Sequence, residues 1–247
     1  MTTGAGTAAQ VRAALAEVAD PADAIHLQRF FKTGPGEYGA GDVFIGVRVP
    51  VTRSIAKRFA TLSLTEIDTL LDSPVHEERL AALVILNARF AAVSKPRAFD
   101  DKARAAIFEL YLAAVRRGRV NNWDLVDASA EHIIGPWLLD KPRDLLFELA
   151  EAESLWERRV AILSSFAFIK AGDVTTTFEL CEQLFADRRD LIQKALGWML
   201  REIGKRIDEQ LLTDFLDKHA SEMGRTALSY AVERLAPAQR VAYRAAR

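Results

Sequence analysis

Four stretches of this chain repeat one pattern, in which a basic residue opens a run that stays apolar for about two helical turns. They are Arg79 with LAALVIL, Arg159 with VAILSSF, Lys194 with ALGWML and Arg225 with TALSYAV. The last three starts lie 35 and 31 residues apart, and the 80 residues from 79 to 159 leave room for one more unit, with a helix near Trp123–Asp127 in the middle. A recurring unit of roughly 30–40 residues made of two helices cannot bury its apolar face alone, so it has to stack on its neighbours. The fold class expected is all-α: an α-solenoid of HEAT-like antiparallel helix pairs, curved, with a basic concave face. An irregular all-α bundle is the alternative.

Composition agrees with the helical reading. Ala and Leu make up 69 of 247 residues, whereas Gly and Pro together make up 21 and collect in a few places, which favours helix along most of the chain. Capping-box spacing at Ser63–Glu66 and Ser154–Glu157, prolines at 74 and 142 placed for a first turn, and stops at Gly118 and Gly204 punctuate the pattern. Helices are expected near 7–19, 21–32, 50–60, 64–72, 74–93, 96–117, 122–134, 142–152, 155–170, 174–186, 188–204, 208–219, 221–235 and 237–245. The expected organisation is a single HEAT-like repeat domain over 1–247, with N-terminal helices 7–32, a glycine-rich connector 33–49 and repeats from about 50 to 245.

Charge and cysteine usage narrow the function classes. With 33 Lys+Arg against 34 Asp+Glu the net charge is −1, so a polyanion partner would require positive charge concentrated on one face. A chain that is half hydrophobic has too much apolar surface to stay disordered. Its longest uncharged apolar stretch, near Val160–Ile169, is half a membrane span, and MTTGAGTAAQ carries no secretory signal pattern. One cysteine, Cys181, excludes an internal disulfide and cysteine-based metal sites, and its place between Leu180 and Leu184 marks it as core. A cytoplasmic location is expected.

Three places stand out for chemistry. In the helix expected over 188–204, Ile192, Ala195, Leu196, Met199, Leu200 and Ile203 form one apolar stripe, while Lys194, Trp198, Arg201 and Lys205 share another face. Residues 188–206 hold six basic side chains against two acidic ones, and an aromatic ring among cations suits a nucleic-acid backbone. The plainer alternative is a tryptophan covered by the next repeat among solvated lysines. In NNWDLVDAS, an asparagine cap places Trp123 and Asp127 at i, i+4 on one face, with Asp124 pointing elsewhere. A carboxylate beside a flat apolar ring can hold a cationic group, although an aspartate that ties adjacent repeats together through an arginine fits the same pattern. Arg159 shares its face with Leu155, Ile162 and Phe166 and needs a partner to offset desolvation, for which Asp127 is the natural candidate. The remaining signals are weaker. Gly34, Gly36 and Gly39 spell GxGxxG without the flanking strand and helix, HEER at 76–79 lacks the second histidine of a zincin, and the four histidines are scattered.

Four segments, RFFKTGPGEYGAGDVFIGVRVP (29–50), NNWDLVD (121–127), WERRVAIL (156–163) and IQKALGWMLREIGK (192–205), resemble the AlkD family of DNA alkylation-repair glycosylases in content, order and spacing. The resemblance runs from about residue 25 to 235. It implies a HEAT-like solenoid that grips duplex DNA and excises N3- and N7-alkylated purines. It places the catalytic aspartate at Asp127, two DNA-facing tryptophans at Trp123 and Trp198, and a supporting arginine at Arg159. Phe30 stands where some members carry a backbone-contacting tyrosine, so any hydrogen bond from that hydroxyl would be missing. DNA binding is expected through Lys194, Arg201, Lys205 and Phe30. The expected partner is double-stranded DNA containing alkylated purines, bound by a monomer with no cofactor, no metal and no membrane. The alternative function is a non-catalytic HEAT-repeat protein that binds DNA structures or a protein partner.

Overall fold

In a computed structural model, which describes residues 6–245, the chain is built of helices joined mostly by short turns, with one long irregular connector over 29–48. Contacts divide it between Ile133 and Ile134. The first unit holds α1 (Ala8–Ala16), α2 (Pro21–Gln28), α3 (Val49–Arg58), α4 (Leu64–Leu71), α5 (His76–Val93), a 3-10 turn (Pro96–Ala98), α6 (Asp101–Arg116) and α7 (Trp123–Asp127); α8 (Ala130–Trp137) spans the division. The second holds α9 (Asp144–Glu151), α10 (Leu155–Ser164), α11 (Phe166–Lys170), α12 (Thr175–Leu184), α13 (Asp190–Arg206), α14 (Glu209–His219), α15 (Arg225–Ala231) and α16 (Pro237–Ala245). Among the described residues the only extended pairing is an isolated parallel bridge between Val43 and Val75.

The repeat pattern appears as stacking. In the second unit α10 packs on α9, and α13 packs on α10 at one side and on α15 at the other. The helices opened by Arg159, Lys194 and Arg225 therefore lie side by side as members of successive pairs, the arrangement of an α-solenoid. In the first unit α5 has the corresponding central place, packed against α3, α4 and α6. The apolar stripe of α13 is wholly buried. Its five large side chains, Ile192, Leu196, Met199, Leu200 and Ile203, contribute roughly 10 kcal/mol at about 1.5–3 kcal/mol each. Ion pairs on the exposed face are worth about 0–1 kcal/mol apiece, so burial fixes the helix and leaves the charges free to change partners. Cys181 is buried, and burial pushes its thiol pKa up.

Helix boundaries differ from expectation where tertiary contacts intervene. The helix expected over 122–134 breaks after Asp127: the Ser129 hydroxyl bonds back to the Leu125 carbonyl at 2.5 Å, and Asn87 Nδ2 takes the Ala128 carbonyl at 2.7 Å. The helix expected over 155–170 breaks at Ser165, where Ser164 and Ser165 bond back to Val160 and Ile162. α5 starts at His76 rather than 74, because Pro74 and His76 both bond the backbone of Val43 and hold Val75 extended. Gly204 does not end α13, which runs to Arg206. A Cβ at 204 would lie 2.7 Å from Leu212 Cδ2, so this glycine serves the close approach of α14. α6 stops just before Gly118, as the sequence suggests. None of the helices among the described residues is long and apolar enough to cross a membrane.

Candidate functional site

α7 is only five residues long, and a helix this short does not hold its own conformation. It is gripped at both ends. At the start, the Asn122 side chain accepts from the Trp123 amide at 2.9 Å and donates through Nδ2 to Asp42 Oδ2 at 2.9 Å. The Trp123 indole stacks on Phe31 with centroids 5.3 Å apart and planes 10° from parallel, and its Nε1 donates to the Phe30 carbonyl at 3.4 Å. Asp124 turns inward, to His76 Nε2 at 2.8 Å. At the far end, the Ser129 hydroxyl pairs with the Tyr111 hydroxyl at 2.9 Å. Asp127 is half-buried in the last position of the helix. Burial pushes the Tyr111 phenol up, and the charge of Asp127 pushes it the same way against the Ser129 hydrogen bond, so the phenol stays neutral.

The connector before α3 is the bed for this mount. Buried Asp42 accepts from His76 Nδ1 at 3.0 Å, from Arg79 Nη2 at 2.5 Å and from Asn122. Burial disfavours the Asp42 carboxylate, but the His76 hydrogen bond, the Arg79 charge and the Asn122 amide outweigh it and its pKa is lowered. Glu77 accepts the successive amides of Ile45, Gly46 and Val47 at 3.1, 2.9 and 3.2 Å. Gly46 has φ +83°, and a Cβ there would fall 1.9 Å from the Asp20 carbonyl oxygen, so the connector can pass here only as glycine. The HEER segment thus belongs to one buried polar assembly with residues 42–47, and of the GxGxxG glycines only Gly39 lies against it, beside Asn122. The sequence signal for it was the set of charges at the head of the all-apolar run LAALVIL, which a buried helix tolerates only if each finds a partner.

Beside this mount lies a groove of about 430 Å³ between α3, α5 and the α7–α8 junction, walled by Arg53, Lys57, Asn87 and His132 over an alanine and valine floor. It reaches Ala128, the residue after Asp127. Arg53 and Lys57, at i, i+4 on exposed positions of α3, have no acidic partner among the described residues. Sequence reading missed them, because two cations without an aromatic neighbour carry no distinctive pattern.

The expected cations of α13 are in a different state. Lys194 pairs with Asp190 at 2.7 Å, Arg201 with Glu233, and Lys205 with Glu202 at 3.8 Å. Trp198 is half-buried among them, 6.2 Å from the Phe166 ring; burial disfavours the Glu202 carboxylate, but Arg206, Lys205 and, least, the Trp198 hydrogen bond outweigh it and lower its pKa. Arg159 is buried and donates to the Leu191 carbonyl, which ties α10 to α13. Phe30 is 58% exposed, and its backbone carbonyl receives both the Trp123 indole and the Tyr38 hydroxyl, the latter at 3.2 Å. Among the described residues no cluster of three or more His, Cys, Asp or Glu side chains is placed to hold a metal.

Stacked helix pairs, with a tryptophan and an aspartate mounted on a short clamped helix, define a helical-repeat protein. A family model described as DNA alkylation repair enzyme matches residues 11–235. The chain belongs to that family, which connects it with repair of alkylation damage in DNA. A solved structure described as a predicted DNA alkylation repair enzyme from Enterococcus faecalis shares the fold: TM-score 0.68 and 19% identity, covering 89% of this chain and 97% of that one. No curated protein matches.

Proposed function

We propose that this protein is a DNA glycosylase that hydrolyses the N-glycosidic bond of N3- and N7-alkylated purines in duplex DNA, with Asp127 as the reacting-site carboxylate. The observation that carries the reading is Asp127 itself, a half-buried carboxylate on a helix clamped at both ends, on the same face as Trp123 and adjoining a groove walled by Arg53 and Lys57. Alkylation at N3 or N7 makes the purine cationic. When the bond breaks, its electron pair leaves with the base and neutralises that charge, so little acid help is needed. Positive charge develops instead on the deoxyribose, as in sugar hydrolysis, and a fixed carboxylate stabilises it. Water then adds to the sugar carbon and gives up a proton. Trp123 and Trp198 supply flat apolar surfaces that position the sugar and exclude water, and Arg159 serves as the supporting arginine.

The DNA backbone is held by Arg53 and Lys57, which have no acidic partner among the described residues, and by Lys194, Arg201 and Lys205, which exchange part of their pairing with Asp190, Glu233 and Glu202 for phosphate. The Phe30 ring adds an apolar contact. Replacing Arg53 and Lys57 together, or Lys194 and Arg201 together, with alanine is expected to weaken duplex binding. Each pair should lower the slope of log affinity against log salt by about 1–2, at roughly 0.9 per lost phosphate contact. An unchanged slope in either pair would place DNA elsewhere on the protein. The glycosylase reading itself is tested by incubating the protein with methylated duplex DNA and analysing the released bases. Release of 3-methyladenine and 7-methylguanine supports it, whereas binding without release favours a non-catalytic repeat protein.

A further inference from the structure

His76 is one of the most enclosed polar side chains of the first unit, and the glycosylase chemistry does not use it. Its ring lies between two carboxylates on different elements: Nδ1 faces Asp42 on the connector at 3.0 Å, and Nε2 faces Asp124 on α7 at 2.8 Å. Phe44 covers one side at 4.5 Å and 21°, and Phe31, which also carries the Trp123 indole, covers the ring at 5.0 Å. From its own helix, Arg79 reaches Asp42 and Glu77 turns away to the connector amides. From the cap of α7, Asn122 bonds Asp42. Among the described residues the imidazole is thus the only direct side-chain link between Asp124 and the connector.

We propose that His76 is a positioning residue for Asp127, acting through Asp124 and Asp42 to fix the tilt of α7. The inference rests on the reading of Asp127 as the reacting-site carboxylate. Asp124 and Asp127 are three residues apart on a helix of five, so α7 has no length with which to absorb slack at Asp124. If that anchor loosens, Asp127 moves with the helix, and a displacement of about 1 Å at a reacting centre costs on the order of a hundredfold in rate. A carboxylate on each ring nitrogen requires an N–H on each, which only the protonated ring provides. Burial disfavours that charge, but the charge and hydrogen bond of Asp124, followed by those of Asp42, outweigh it and raise the pKa from 6.5 to about 9. The folded value lies above the unfolded one, so the clamp is fully present below about pH 6.5 and is lost as pH rises through about 9.

The test has two readouts on the full chain: backbone hydrogen exchange over residues 121–129, which needs no activity, and single-turnover release of alkylated base alongside duplex Kd. In His76→Gln, exchange over that segment is expected to accelerate at least about tenfold, and release to slow about 10–100-fold with Kd within about threefold. Asp124→Asn, which leaves the His76–Asp42 contact in place, carries the same expectation should His76→Gln fail to fold at the assay temperature. The double variant should be no slower than the slower single, because both changes cut one link. Unchanged exchange over 121–129 in either single variant overturns the proposal, as do additive losses in the double. Accelerated exchange in a protein whose wild type releases no base keeps the clamp and removes the glycosylase reading instead.

Discussion

Asp127→Asn is expected to abolish release of 7-methylguanine from methylated duplex DNA while leaving duplex affinity nearly intact. Asparagine keeps the shape and removes the charge. With the carboxylate about 4 Å from the developing positive charge and an effective dielectric of ~20, the lost interaction is roughly 4 kcal/mol, or about a thousandfold in rate. Affinity is governed by phosphate contacts from cations, and removing a negative charge from the surface facing a polyanion does not weaken them. The loss therefore falls in the chemical step, with Kd within about threefold of wild type. Quantifying released base under single-turnover conditions beside a binding isotherm separates the two. A variant that releases base as fast as wild type would show that the charge at 127 is not the one that matters.

The thousandfold depends on a carboxylate that does not have to be reorganised during the reaction. That explains why so much buried polar structure stands behind a five-residue helix. Asn122, Asp124 and the Trp123 indole are each tied to the connector or to α5, and Ser129 is tied to Tyr111. The same logic accounts for the two kinds of cation. On α13, burial of the apolar stripe holds the helix, and Lys194, Arg201 and Lys205 are each paired with a nearby acid. On α3, Arg53 and Lys57 lie by the groove without acidic partners among the described residues.

How much of this was legible depends on how far apart in sequence the partners lie. The α13 stripe, the buried Cys181 and the helix stacking could be read because period and composition are local properties. The breaks at Ser129 and Ser165 could not, since a serine bonds back to its helix or outward according to what surrounds it. The excess of cations over 188–206 was visible, but Glu233, which meets Arg201 from 32 residues away, was not. Asp124 is expected to point elsewhere than Trp123, yet it meets His76, brought across 48 residues, whose ring touches the same Phe31 that carries the indole. HEER lacks the second histidine of a metal motif, while its histidine, first glutamate and arginine hold parts of the connector and α7 that lie far away in sequence.

The glutamate in that segment carries the second large effect. Glu77 is 2% exposed in the first turn of α5, where the helix N-terminus favours negative charge. Its Oε1 accepts three successive connector amides, from Ile45, Gly46 and Val47. Alanine would orphan all three and leave a void. A buried donor without an acceptor costs about 1–3 kcal/mol, and half-buried Ile45 regains some of its bond from water. Glu77→Ala is therefore expected to destabilise by about 4 kcal/mol and to lower Tm by roughly 10 °C, at about 2–4 °C per kcal/mol for a chain of this size. Glu77→Gln keeps one carbonyl oxygen for the three amides and should lose about half as much. Exposed Glu153, replaced by alanine, should stay within about 0.5 kcal/mol. Thermal and urea unfolding of the three variants checks the series. A Glu77→Ala protein within about 1 kcal/mol of wild type would mean that the connector is held by its other contacts, Asp42 with His76 and Arg79 first among them.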